Sequence, residues 1–369
     1  MYDTSPNNEK GVDHELRNAQ LSLRLAELDE GYRVMCEICL GNGQVIQEKS
    51  LRKRPYKGSS SRDLQGVDWQ AWKGAFHLDQ VTMLGHSFGA ATTVEVLRHS
   101  DRFKFISQGI IYDIWGAAIN PPEDDPSHRI HTPLLGINSE AFMYWPSNFK
   151  AVTSLMEEAQ AQNAPTWLLT VRGTVHVSQS DFSILYQHIC AVTMKMTANP
   201  KRALDINIGA TLEYLTNVSP ICRAMVARSM SSEHFLDTDC LDSIPDEHRP
   251  DQKMLAFRLR IPHEFRNRVL PTITRKFKRK TYPRASGTKG NDDEIWMHIK
   301  SETDVVERYN NHVARSRSQN LNEAETKAFL HQQAEHGGAG AERSDTANTL
   351  EREDRGNAGG NNNNNNNNN

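Results

Sequence analysis

The sequence predicts an α/β fold in which a parallel sheet carries helices on both faces. Two observations lead to this prediction. Four short apolar runs between residues 81 and 171 have the length of strands, and helical patterns separate them. Strands that alternate with helices are typical of a covered parallel sheet. In addition, the first run ends in a glycine-containing turn that opens directly into a helix of small residues.

A long amphipathic helix precedes the predicted sheet. Apolar residues recur in steps of three and four from Leu21 to Cys39, which places them on one helical face. Asp13 is a suitable N-cap, and Gly41 to Gly43 is a suitable end. We therefore predict a helix that begins near residue 13 and ends near residue 41.

The remaining elements follow in order along the chain. We predict strands at residues 81–84, 105–112, 133–137 and 166–171, and helices at 90–97, 148–162 and 182–196. The pattern weakens after residue 204, where helices are predicted at 203–215, 222–230 and 294–313. We expect a partial α/β domain at 13–215, a partly helical C-terminal extension at 216–335 and a disordered polar tail at 336–369.

Composition restricts the classes of function. A net charge of −3 gives no general attraction to nucleic acid, so no nucleic-acid partner is expected. The five cysteines are odd in number and irregularly spaced, and no clustered ligand set accompanies them, so we expect no disulfide framework, metal or cofactor. The first residues lack the apolar core of a signal peptide, and no apolar run approaches about eighteen residues, which favours a cytoplasmic protein.

A basic segment at residues 275–282 combines five lysines and arginines with Phe277 and Tyr282. A solvated linker face is the simpler interpretation of this segment. The alternative is a peripheral contact with an anionic membrane surface.

The strongest chemical signal is the segment Gly85-His86-Ser87-Phe88-Gly89. It follows a predicted strand and opens a predicted helix, which is the context of a nucleophile elbow. The glycines leave room for a sharp turn, and the helix directs its N-terminal N–H groups towards a developing oxyanion. We predict Ser87 as the nucleophile, Gly85 and Gly89 as the elbow glycines and the Phe88 N–H as an oxyanion donor. A turn with only a structural role is the alternative.

A serine hydroxyl needs a base, and the base needs a carboxylate that orients it. Asp113 follows the predicted strand at 105–112, and His176 follows the strand at 166–171 after a turn, so both lie at strand ends where active sites of such sheets form. We predict Asp113 as the acid and His176 as the base. Lower-ranked candidates lie in a proline-flanked loop, inside the elbow, just past His176 or away from strand ends: Asp124, Asp125, Asp181, His86, His128, His131 and His188.

Four blocks of the sequence occur together in one order. They are Leu84 to Thr92, Tyr112 to Trp115, Ile137 to Phe142, and Arg172 to His176 with Ser180 to Phe182. Across about residues 13 to 200 this arrangement resembles the platelet-activating factor acetylhydrolases, which are calcium-independent group VII phospholipases A2 of the α/β-hydrolase type. The resemblance implies metal-free hydrolysis of a short or oxidised sn-2 acyl ester of a glycerophospholipid, with Ser87, Asp113 and His176 as the triad.

In members of that family, several sheet strands and the loop with the second oxyanion donor precede the long helix placed here at Asp13. We therefore expect an incomplete α/β-hydrolase in which the strand at 81–84 becomes an edge that associates with other chains. Two hypotheses follow. The chain is a serine esterase of the kind described, or it is a catalytically weak or inactive remnant that binds lipid or a partner protein.

Overall fold

The structure of the protein is a computed structural model. It describes residues 11–51, 64, 66–122, 124–194, 196–227, 229, 233–245 and 294–316. The chain divides into a unit of residues 1–310, which contains the sheet, and a unit of residues 311–369. Within the second unit, residues 311–316 are described and are helical.

One sheet of five strands is formed by the described residues: β1 (Val81–His86), β2 (Ile106–Tyr112), β3 (Leu134–Ser139), β4 (Thr166–Val171) and β5 (Ile295–Lys300). The strands lie side by side in chain order. β1 to β4 are parallel, and β5 pairs with β4 in the antiparallel direction. The predicted α/β class is therefore confirmed. In this part of the chain β1 is an edge strand, as the sequence analysis expected for the strand at 81–84.

Helices cover both faces of the sheet: α1 (His14–Leu40), α2 (Gly43–Lys49), α3 (Phe88–Arg98), α4 (Glu140–Met143), α5 (Pro146–Ala161), α6 (Phe182–Leu185), α7 (Gln187–Thr193), α8 (Pro200–Val218) and α9 (Pro220–Val226). Successive side chains of a strand point to opposite faces. Accordingly, Ile111 of β2 belongs to a core that includes buried residues of α1, α3 and α5. Its neighbour Ile110 belongs to a second core built with α8.

The long helix α1 has the caps that the sequence predicts. The Asp13 carboxylate accepts a hydrogen bond from the Leu16 N–H at 3.1 Å. At the other end, Gly41 adopts a left-handed conformation with φ 99°, and its N–H donates to carbonyls of the last turn. Both features satisfy backbone groups that a helix end leaves open.

Two predicted helices are wrong in part. The helix expected at 182–196 is interrupted at Tyr186, whose φ of −123° and ψ of 42° separate α6 from α7. The segment expected to be helical at 294–313 begins instead with β5, and helix starts at residue 303. Pairing with β4 buries Ile295, Trp296 and Met297, and this burial outweighs the local helical pattern.

Strand β5 lies beyond residue 215, so the sheet extends past the C-terminal end predicted for the α/β domain. Residues this far apart in sequence give no local signal that they pair. The polar tail at 336–369 and the basic segment at 275–282 both lie outside the described residues.

Candidate active site

Ser87 occupies a sharp turn between the end of β1 and the start of α3. Its φ of 60° and ψ of −121° are unusual for a residue with a side chain, and such a conformation costs on the order of 1–3 kcal/mol unless its surroundings enforce it. The surroundings do so through the backbone. The Ser87 N–H donates to the Tyr112 carbonyl at 3.0 Å, and the Ser87 carbonyl accepts from the Trp115 N–H at 3.3 Å. These two hydrogen bonds hold the elbow against the end of β2 and the residues that follow it.

The two elbow glycines differ in what surrounds them. A Cβ at Gly85 would overlap the Gly89 carbonyl oxygen and lie 2.5 Å from Thr93 Oγ1, whereas a Cβ at Gly89 would meet nothing within 4 Å. Gly85 is therefore required for the close approach of β1 to the first turn of α3. Phe88, between Ser87 and Gly89, is the first residue of α3, a position whose N–H has no partner within its own helix.

The Asp113 carboxylate lies at the carboxyl end of β2 and is fully buried. Its Oδ1 accepts a hydrogen bond from the Ser139 N–H at 2.5 Å, and its Oδ2 lies 3.2 Å from Nδ1 of His176. Asp113 has a positive φ of 41°, and its own N–H donates to the Ile137 carbonyl at 3.0 Å. The β3 strand thus holds both the backbone and the side chain of the acid.

His176 begins a short 3-10 turn that follows β4, and its side chain is 25% exposed. Two other rings pack against its ring. Phe142 of α4 stacks on it with centroids 4.4 Å apart and planes within 4°, and the His86 ring lies at the same distance on a tilt of 32°. His86 immediately precedes Ser87, so the imidazole that contacts Asp113 lies beside the residue next to the predicted nucleophile. The hydrogen bonds of the described residues do not include one between Ser87 Oγ and His176.

The sequence matches the family described as platelet-activating factor acetylhydrolase, isoform II, over residues 4–227. The chain belongs to this family. Among curated proteins, it is 31% identical over 191 residues to the platelet-activating factor acetylhydrolase of Gallus gallus, covering 48% of this chain and 43% of that protein. The corresponding proteins of Canis lupus familiaris and Bos taurus are 29% and 30% identical over 202 residues, covering 54% of this chain and 40% of each.

The chain thus spans less than half the length of these curated relatives. The matched residues contain the elbow, Asp113 and His176 together with β1 to β4. Membership of this acetylhydrolase family agrees with the parallel sheet and with the resemblance drawn from the four sequence blocks. Among the described helices, none has the length and apolar character needed to cross a membrane.

Three of the seven lower-ranked sequence candidates have partners elsewhere. Asp125 accepts hydrogen bonds from Ser127 in its own loop. The His128 ring lies 4.8 Å from that of His99 at a tilt of 33°, and His131 contacts the Pro126 carbonyl. None of these interactions involves Asp113 or His176.

Three further residues lie near His176, in supporting roles that the sequence did not predict. Phe142 and His86 pack against His176, and Glu140 accepts a hydrogen bond from the Gly173 N–H at 2.5 Å, which holds the loop before His176. Burial and the neighbouring His176 lower the pKa of the His86 imidazole. The block from Ile137 to Phe142 was noticed as a family resemblance, but no periodicity or spacing in it indicates contact with a histidine.

Two groups of side chains in the described residues have the composition of metal ligands: His86 with Asp113 and His176, and Glu213 with His234 and Asp237. Within each group, one ligand atom per residue lies within 4.8 Å of the others. The first group contains two of the predicted catalytic residues, Asp113 and His176, together with His86, which precedes the predicted nucleophile.

Proposed function

We propose that the protein is a serine esterase that hydrolyses the short or oxidised sn-2 acyl ester of glycerophospholipids, as in 1-alkyl-2-acetylglycerophosphocholine. The observation that carries this proposal is the hydrogen bond between the buried Asp113 carboxylate and His176. The His176 ring lies against His86, the residue that precedes the strained Ser87 of the elbow. Membership of the acetylhydrolase family supports the choice of ester.

In the proposed mechanism, His176 accepts the Ser87 hydroxyl proton while Oγ attacks the sn-2 carbonyl carbon. Asp113 orients the imidazole through Nδ1 and stabilises the imidazolium. The Phe88 N–H donates to the oxyanion of the tetrahedral intermediate. The intermediate collapses, and His176 protonates the departing lysophospholipid oxygen. Water then attacks the acyl-enzyme with His176 as base, which releases the carboxylic acid and restores Ser87. No step requires a metal or cofactor.

The surface beside the site supports a lipid substrate. The two short helices that follow His176, α6 and α7, expose apolar side chains, with Leu185 and Val192 each 68% exposed and Ile189 51% exposed. Neighbouring exposed apolar residues are typical of surfaces that contact lipid or another protein. We propose that this α6–α7 surface contacts the aggregate in which the phospholipid is presented.

A second candidate is a catalytically weak or inactive remnant that binds lipid or a partner protein. It is favoured by the position of β1, which pairs only with β2 among the described residues, and by the 50% exposure of Leu84 in that strand. An open strand edge pairs readily with another chain.

The release of acetate from 1-alkyl-2-acetylglycerophosphocholine discriminates between the two candidates. The esterase proposal predicts hydrolysis that survives excess EDTA and is abolished in Ser87→Ala, while Ser22→Ala, at an exposed position of α1, retains it. Vesicle binding with no acetate release from the folded chain would favour the remnant instead.

A further inference from the structure

A cluster of possible metal ligands is built into the proposed catalytic centre. His86, Asp113 and His176 offer two imidazole nitrogens and a carboxylate oxygen, and these atoms lie within 4.8 Å of one another. Zinc sites in proteins use these ligand types, with bonds of about 2.0–2.2 Å, which places tetrahedral ligands roughly 3.3 Å apart. His176 Nδ1 and Asp113 Oδ2 are already 3.2 Å apart. The ligand atom of His86 lies within 4.8 Å of the other two, so it must approach them by at most about 1.5 Å to reach tetrahedral spacing.

The surroundings of the cluster favour an ion. The Ser139 N–H holds Oδ1 of Asp113, which leaves Oδ2 directed at His176, and such outer hydrogen bonds are what fix ligands in metal sites. Nε2 of His86 is buried and has no hydrogen-bond partner within the part of the chain that the structure describes. A buried polar atom without a partner is costly. The partial exposure of His176 provides a route from solvent.

We propose that His86, Asp113 and His176 form an inhibitory zinc site. The inhibitory consequence rests on the proposed esterase function, whereas the binding does not. The two neutral imidazoles and one carboxylate neutralise one of the two zinc charges and leave a fourth position for water. A neutral imidazole that coordinates zinc through Nδ1 carries its proton on Nε2, so His176 with zinc bound cannot accept the Ser87 hydroxyl proton. Zinc therefore prevents activation of the serine.

The second cluster of ligand-type residues is a less suitable zinc site. The side chains of His234 and Asp237 are 64% and 74% exposed, and Lys300 Nζ lies 4.0 Å from Asp237. Glu213 already accepts the N–H groups of Phe235 and Leu236. A lysine ammonium beside a carboxylate opposes the binding of a second cation. His234 is therefore the matched control for His86.

The test measures zinc binding and serine reactivity separately on the full chain. All proteins carry Cys36→Ser and Cys39→Ser, since a pair of thiols on neighbouring turns also binds zinc. Isothermal titration calorimetry with Zn²⁺ and the visible absorption of Co²⁺ report binding. The rate of labelling by a fluorophosphonate probe reports the reactivity of Ser87.

We expect Zn²⁺ to slow labelling at least tenfold and EDTA to restore it. His86→Phe, which keeps an aromatic ring against His176 but no ligand atom, should bind zinc at least tenfold more weakly and label at a rate that zinc does not change. His176→Gln should also weaken zinc binding, and His234→Ala should behave like the parent. The inference is overturned if the parent binds no zinc, or if His86→Phe binds it as the parent does. If the parent does not label even without zinc, the esterase proposal fails, while calorimetry still decides the zinc site.

Discussion

Replacing Gly85 with alanine should destabilise the fold strongly, whereas the same change at Gly89 should not. A Cβ at Gly85 would overlap the backbone carbonyl oxygen of Gly89 and crowd Thr93 Oγ1 at 2.5 Å. Overpacking costs about 1–3 kcal/mol, occasionally more. A helix backbone cannot rotate away as a flexible side chain can, so we expect a loss of about 3 kcal/mol for Gly85→Ala.

Gly89→Ala is the matched control because its Cβ would meet nothing within 4 Å and its φ is not positive. In a helix, alanine is favoured over glycine by about 0.5–1 kcal/mol, so this variant should be as stable as the parent or slightly more so. Urea unfolding followed by tryptophan fluorescence gives both free energies of unfolding. Equal losses in the two variants, or a larger loss in Gly89→Ala, would refute this account of the elbow.

Four further predictions follow from other parts of the structure. Asp113→Asn should lower kcat for acetyl ester hydrolysis by about 10⁴-fold, because the amide no longer holds the required His176 tautomer; a loss below tenfold would contradict the triad. Leu185→Asp with Val192→Asp should weaken sedimentation with phospholipid vesicles but leave hydrolysis of a soluble ester unchanged, and unchanged sedimentation would exclude the α6–α7 surface as the lipid contact. Leu84→Lys should reduce self-association measured by light scattering, since charge on an edge strand opposes pairing; an unaltered mass distribution would place association elsewhere. Burial lowers the pKa of His298 from 6.5 to about 4. As the pH falls from 6.5 to 4, His298 is therefore protonated in the unfolded chain before it is protonated in the folded one, and about 3 kcal/mol of stability is lost. Urea titrations at several pH values should show this loss in the parent but not in His298→Gln.

Local patterns predicted much of the fold. The strand Thr166–Val171 and both ends of α1 follow from apolar runs and capping residues, whose signals lie within a few positions along the chain. The break at Tyr186 and the strand Ile295–Lys300 were not predicted. The first depends on backbone conformation at one residue, and the second on pairing with a strand that is distant in sequence.

In the candidate site, too, some contacts could be predicted from local sequence and others could not. Asp113 and His176 could be chosen because each follows a strand whose carboxyl end lies at the expected edge of the sheet, and the structure brings them to 3.2 Å. The rings of Phe142 and His86 against His176 could not be predicted. Their contact depends on how the end of β1, helix α4 and the 3-10 turn at His176 pack together, and no residue spacing within any one of these segments encodes it.

The central claim is that Ser87 is an activated nucleophile. Intact-mass analysis and peptide mapping after reaction with a fluorophosphonate probe test it most directly, because only an activated serine is labelled. We predict one adduct, located on Ser87, that is absent in Ser87→Ala and formed at least a hundredfold more slowly in His176→Gln. A folded chain that gains no adduct at Ser87, or a His176→Gln variant that labels as fast as the parent, would contradict the account.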